Sequence, residues 1–136
     1  MVRQFVIQLE NHPGELAHLA RAFAARGINI HHVACVGAGS LACMYVTTDD
    51  DQARVVLHGL GHLFIEGTPI LVEVEDRPGG LAEISERLAA AGVNVTGMLP
   101  VGRRTGIVEM TFCVDDEMKA REALHLDATE AVGASA

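Results

Sequence analysis

Sliding the chain along itself constrains its fold more than any single motif does. At an offset of 65 residues, Asn11-His12-Pro13-Gly14-Glu15-Leu16-Ala17 falls on Asp76-Arg77-Pro78-Gly79-Gly80-Leu81-Ala82. The same offset sets Gly27-Ile28-Asn29-Ile30 on Gly92-Val93-Asn94-Val95, and Gly37 on Gly102. Past the next turn the offset becomes 66, with Met44 on Met110 and Asp49 on Asp115. It then becomes 67, with Arg54, Leu57 and His58 on Arg121, Leu124 and His125. Slips of one residue confined to turns are what duplication of a supersecondary unit leaves behind. Length alone would assign these 136 residues to one domain. The repeat divides them into two units, residues 1–67 and 68–136.

Each copy can be read for periodicity. Val2–Leu9 and Ile70–Glu75 are rich in branched residues and largely alternate apolar with polar, the pattern of a half-buried strand. After the Pro-Gly pair, Leu16, Leu19, Ala20 and Phe23 recur at helical spacing, as do Leu81, Ile84 and Leu88. Gly27 and Gly92 follow, where a helix ends in positive φ. Strands are expected at Ile28–Val36 and Val93–Val101, then at Leu41–Thr47 and Ile107–Val114. Second helices follow the acids Asp49-Asp50-Asp51 and Asp115-Asp116-Glu117, running to about Leu60 and Leu126. Leu63–Glu66 reads as a short fourth strand in the first copy. The Ala- and Gly-rich tail, Ala128–Ala136, offers no convincing equivalent in the second. The order per copy is β-α-β-β-α-β, so the expected fold is α+β: two ferredoxin-like units, each an antiparallel sheet with its helices on one face. The other face must meet solvent or a second sheet.

Composition narrows the function. Ten basic against eighteen acidic side chains, five aromatic residues and no Trp argue against nucleic acid, which needs cations for phosphates and rings for bases. A 49 % hydrophobic content rules out a disordered chain. The first ten residues lack the apolar run of about 7–15 that a secretory signal requires. The greasiest stretch, Val33–Val46, is interrupted by Gly37, Gly39 and Ser40, so it cannot span a membrane. Three cysteines fit reduced thiols rather than a disulfide scaffold. The expected location is the cytoplasm.

A strand ending in Asn or Asp, then x-Pro-Gly-x-Leu opening a helix, then Gly-(Ile/Val)-Asn-(Ile/Val), resembles the ACT domain. It occurs here as Asn11–Leu16 with Gly27–Ile30 and again as Asp76–Leu81 with Gly92–Val95. The resemblance spans nearly the whole chain, which looks like a tandem ACT pair without a catalytic domain. It implies a regulatory module whose ligand is usually an amino acid, acting through a homo-oligomer or a partner enzyme or regulator. It also implies that the Asn/Asp of the loop and the Asn of the following strand, here Asn11, Asp76, Asn29 and Asn94, line a ligand site between paired domains.

The residues themselves suit such a ligand. First-turn amides around Gly14-Glu15-Leu16 and Gly79-Gly80-Leu81 are donors at the positive end of a helix dipole, ready for a carboxylate. Glycine lets a ligand approach the backbone, most freely at Gly79-Gly80. Asp76 offers charge to an ammonium group, Asn11 only a neutral oxygen. His12, Pro13, Arg77 and Pro78 complete the two loops. The same residues also suit a ligand-free corner, since Asn and Asp cap helices, Pro fits a first turn and Gly a tight bend.

Six of the seven histidines, His12, His18, His31, His32, His58 and His62, lie in the first copy. Strand alternation would put Asn29, His31 and Cys35 on one face, making His31 a candidate ligand contact. No Cys-x-x-Cys or His-x-x-x-His spacing involves His31 or Cys35, so no metal and no cofactor is expected. Neither a nucleophile elbow nor a phosphate loop appears, and Ser85 and Thr96 have no evident base. Glu109, in an otherwise apolar strand, is expected at solvent or paired with Arg103 or Arg104. The leading expectation is a non-catalytic regulator binding an amino acid or small carboxylate. The alternatives are a ligand-free interaction or assembly module and a small metal-dependent enzyme.

Overall fold

The computed structural model describes residues 2–126. The chain forms two compact units, Met1–Gly67 and Thr68–Ala136. In the first, β1 (Arg3–Glu10), α1 (Glu15–Ala25), β2 (His32–Ala38), β3 (Leu41–Thr48), α2 (Gln52–Leu60) and β4 (Phe64–Gly67) follow in order. The sheet order is β2-β3-β1-β4, and each neighbouring pair is antiparallel. In the second unit, β5 (Ile70–Glu75), α3 (Gly80–Ala90), β6 (Val95–Arg104), β7 (Ile107–Val114) and α4 (Glu117–Ala123) give the sheet β5-β7-β6. Both are ferredoxin-like units built on antiparallel sheets. The tail that held no convincing fourth strand lies, from residue 127 onward, outside the described residues.

Alternation explains the cores. Phe5, Ile7 and Leu9 of β1 face Val46, Met44 and Ala42 of β3 and meet Leu19 and Phe23 of α1. In the second unit Ile70, Val72 and Val74 pack with Met110, Phe112 and Leu88. Burying an aromatic or branched chain contributes about 1.5–3 kcal/mol, so these clusters hold each helix layer on its sheet. The apolar stripes lose their first members, because Leu16 and Leu81 are 52 % and 41 % exposed beside the loops.

Several boundaries differ from expectation. The strands expected from Ile28 and Val93 begin at His32 and Val95. The cause in the first unit is that β3 ends at Thr48 and offers little ladder beyond it. Only the His31 amide, bonded to the Thr47 carbonyl at 2.9 Å, and the Asn29 carbonyl, accepting from Thr48 Oγ1 at 2.9 Å, still reach it. Helix α4 stops at Ala123 rather than near Leu126, since His125 turns to φ 57° and the Leu126 amide bonds back to the Arg121 carbonyl. The acids preceding the second helices do serve their starts. Asp50 Oδ1 accepts from the Gln52 amide at 2.7 Å, and Asp116 Oδ1 accepts from the Lys119 amide at 3.1 Å.

Candidate functional site

The β1–α1 and β5–α3 loops are built alike. Gly14 (φ 93°) and Gly79 (φ 89°) occupy the cap positions of α1 and α3, and no side chain hydrogen-bonds to either cap. This left-handed conformation is one that glycine reaches without strain. Asn11 and Asp76, expected as helix caps, instead tie each loop to its neighbouring hairpin. Asn11 Nδ2 donates to the Gly39 carbonyl at 2.9 Å, and Arg103 Nη1 donates to Asp76 Oδ2 at 2.6 Å. Their backbone amides make matching bonds to Ser40 and Gly106. The Asp76 carboxylate therefore already has a cationic partner. Glu109 is half-buried and lies 3.9 Å from Arg104 Nε.

Gly80 has a packing role. It is buried, and a Cβ there would lie 2.0 Å from the Glu75 carbonyl oxygen. The strand backbone fills the space that a side chain would need, so this glycine serves helix–strand packing. Gly14 and Gly79 carry no such contact with the backbone of the sheet.

A cation is clamped in each loop. His12 Nδ1 donates to the Pro13 carbonyl at 3.1 Å, while Nε2 lies 2.9 Å from Glu10 Oε2 and 3.0 Å from Glu15 Oε1. The Pro13 carbonyl, then the Glu10 carboxylate, hold the His12 imidazole above its ordinary pKa. One repeat later Arg77 repeats the pattern: Nε pairs with Glu75, Nη2 donates to Glu83 at 2.8 Å and Nη1 to the Pro78 carbonyl at 3.2 Å. Glu83 and Glu75 raise its already high pKa further.

Beside the first loop lies a cavity of about 470 Å³, lined among others by Glu10, Glu15, His18, Leu41 and His62. Glu10, His18 and His62 were not among the expected site residues. The spacing Glu-x-His-x-x-Glu over residues 10–15 was the available signal for the first, whereas the approach of His18 and His62 depends on the tertiary fold.

Asn29 and Asn94 are not brought to these loops within their own units. Thr47, bonded to His31, pairs with Gln4 near the start of β1, whereas Asn11 follows its end at Glu10. Seven residues of strand separate the two ends, roughly 23 Å at the usual rise. The second unit repeats the separation: Asp115 holds the Asn94 amide, and Gly106 holds that of Asp76. His31 Nε2 instead lies 3.3 Å from Asp49 Oδ1. His32 is half-buried, bonded to Thr47 Oγ1 at 3.1 Å, and burial, then neighbouring His31, lower its pKa. Cys35 pairs in register with Met44 and Cys43 with Val36, which puts the two exposed thiols on opposite faces. The shared strand face expected for His31 and Cys35 is not formed, because His31 precedes β2.

These features are those of a duplicated α+β module with the same loop in each copy. Residues 5–63 match the AHAS small subunit-like ACT domain and residues 70–133 the ACT domain. The chain belongs to the ACT-domain family and carries two ACT-type domains in tandem. No curated protein matches it in sequence. Among solved structures it is similar to a protein from Bacteroides thetaiotaomicron, with 22 % identity, TM-score 0.68, and coverage of 92 % of this chain and 88 % of that one. It is also similar to the regulatory subunits of aspartate kinase from Thermus flavus (21 %, TM-score 0.64, 91 % and 90 % covered) and from Thermus thermophilus in ligand-free form (20 %, 0.59, 91 % and 90 %). At these identities the likeness is one of fold. No helix among the described residues is long and apolar enough to cross a membrane.

Proposed function

We propose that the chain is a non-catalytic regulatory protein that binds an amino acid or related small carboxylate at its ACT loops and passes occupancy to another chain. The observation that carries this reading is the pair of helix starts at Gly14 and Gly79. Each opens an eleven-residue helix with no side-chain cap; the Glu15 and Gly80 amides turn back to the His12 and Arg77 carbonyls, and the next first-turn amides are left for a carboxylate. Asn29 and Asn94 sit at the far ends of their units, so their part in a ligand site requires a partner surface, as in the family's ligand sites between paired domains. The likeness to regulatory subunits of aspartate kinase agrees with an output through a partner enzyme, and so does the AHAS small-subunit type of the first unit.

Thermal-shift screening against the twenty amino acids tests the proposal. A ligand at a hundredfold excess over Kd adds about 2.7 kcal/mol of apparent stability. The double variant Asp76→Ala, Asn94→Ala should reduce that response. Absence of any shift at millimolar amino acid, keto acid or nucleotide refutes the sensor reading. It would favour the assembly module, whose oligomeric state is indifferent to such ligands.

A further inference from the structure

We propose that Glu10, His12 and Glu15 form a binding site for one divalent first-row metal ion, opening onto the cavity of the first unit. One ligand atom from each residue lies within 4.8 Å of the other two. The separations from His12 Nε2, 2.9 and 3.0 Å, match the edge of a coordination octahedron, about 3.0 Å for ligands bound at about 2.1 Å. The imidazole is oriented for the task. The Pro13 carbonyl only accepts, so Nδ1 carries a hydrogen in that 3.1 Å contact; without metal Nε2–H donates toward the two carboxylates, and a bound ion takes the place of that proton. A backbone carbonyl holding the far nitrogen is the usual support of a metal-bound histidine.

The second copy supplies an independent argument. At the place of His12 it carries Arg77, held by Glu75, Glu83 and the Pro78 carbonyl. The fold thus keeps a cation slot in both loops. In the second unit a guanidinium fills it permanently, and a guanidinium cannot ligate a metal. In the first unit the slot holds an imidazole, which can. One nitrogen and two carboxylate oxygens suit Zn²⁺ or Mn²⁺, and the three-donor set leaves positions open for water or a small ligand. The cavity beside Glu10 and Glu15 gives room for either. Metal uptake here needs no amino acid, so this proposal and the loop-amide reading stand or fall separately.

The test is equilibrium dialysis of the chelator-treated full chain against Zn²⁺ and, separately, Mn²⁺, with elemental analysis. One ion per chain at micromolar free metal is expected. Glu15→Gln should weaken binding by at least about tenfold, since changing even an outer-shell partner costs 10–100-fold. His12→Arg, which transplants the second copy's cation, should abolish uptake while keeping both ion pairs and the circular dichroism of the parent. His12→Gln gives the same reading should His12→Arg fail to fold. His18→Gln and His62→Gln should retain the ion. No stoichiometric uptake, uptake indifferent to His12→Arg and His12→Gln, or loss confined to the His18 and His62 variants would each overturn the site.

Discussion

Replacing Gly80 by Ala should destabilise the second unit, although alanine is the better helix former. The added methyl would meet the Glu75 carbonyl oxygen at 2.0 Å and the Glu75 carbonyl carbon at 3.1 Å. An ordinary carbon–oxygen contact lies more than 1 Å further out, so helix or strand must retreat by roughly that amount. The carbonyl cannot simply rotate away. Glu75 pairs with Ile107 in the sheet, and its oxygen also accepts from the Arg77 amide at 2.9 Å. Overpacking against fixed backbone costs about 3 kcal/mol, the upper end of the usual range, and the helical preference of Ala over Gly returns about 1 kcal/mol. A net loss of about 2 kcal/mol corresponds to a fall of roughly 10 °C in the melting of a unit this size. Gly59→Ala is the matched control. It lies in α2 with nothing within 4 Å of its added Cβ and should gain about 0.5–1 kcal/mol. Calorimetry of the two variants should show shifts of opposite sign. A Gly80→Ala chain as stable as wild type would refute the close seating of α3 on β5, and with it the packing role of this glycine.

Three further outcomes follow from the described contacts. Asn11→Ala removes the 2.9 Å bond to the Gly39 carbonyl and should lower the urea midpoint by about 1 kcal/mol even without ligand; an unchanged midpoint would remove the hairpin-tie role. Phe23→Ala and Leu88→Ala, at equivalent and buried positions of the two copies, should each cost about 2–5 kcal/mol, and a loss under 1 kcal/mol in either would contradict its place in the core. Hydrogen bonds from Arg54 at 2.7 and 2.8 Å hold the Glu66 carboxyl below its ordinary pKa. The resulting stability is fully present above the unfolded-state value, near pH 4.3, and is lost as pH falls through the lower folded value. Urea midpoints taken between pH 6 and pH 3 should therefore fall less steeply in Glu66→Gln than in the parent, and parallel curves would sink the assignment.

The fold was legible because its determinants are local and stated twice. Alternation in Ile70–Glu75 and the helical stripe through Leu19 and Phe23 need no tertiary knowledge, and the 65-residue repeat lets each copy check the other. The boundaries at His32 and Val95 were not legible, since a strand lasts only as long as its neighbour can pair, and where β3 ends is a property of the sheet. The packing role of Gly80 was not legible for a related reason. A glycine next to a ligand and a glycine against a strand carbonyl look identical until the carbonyl is placed. Glu10 stayed unassigned because the strand was read as ending at Leu9, which left it outside both the alternation and the loop motif.

The copies differ at one helical position beside the cavity of the first unit. Glu15 and Gly80 occupy equivalent places in the repeat. In the second copy the absence of a side chain lets α3 settle on the Glu75 carbonyl, which fills the space at the helix start. In the first copy a glutamate stands there, its side chain only partly exposed and turned to His12, and the cavity has Glu10 and Glu15 on its wall. The same duplication thus yields a loop with a fixed guanidinium and a loop open to a cavity, with an imidazole between two carboxylates. Charge follows the same division. Residues 1–67 carry 4 basic and 6 acidic side chains (4 − 6 = −2), and residues 68–136 carry 6 and 12 (6 − 12 = −6). A negatively charged ligand therefore meets less repulsion on the half that has the open loop. Two loops of one backbone plan need not be two equivalent sites, and the chemistry that distinguishes them is concentrated in His12 against Arg77 and Glu15 against Gly80.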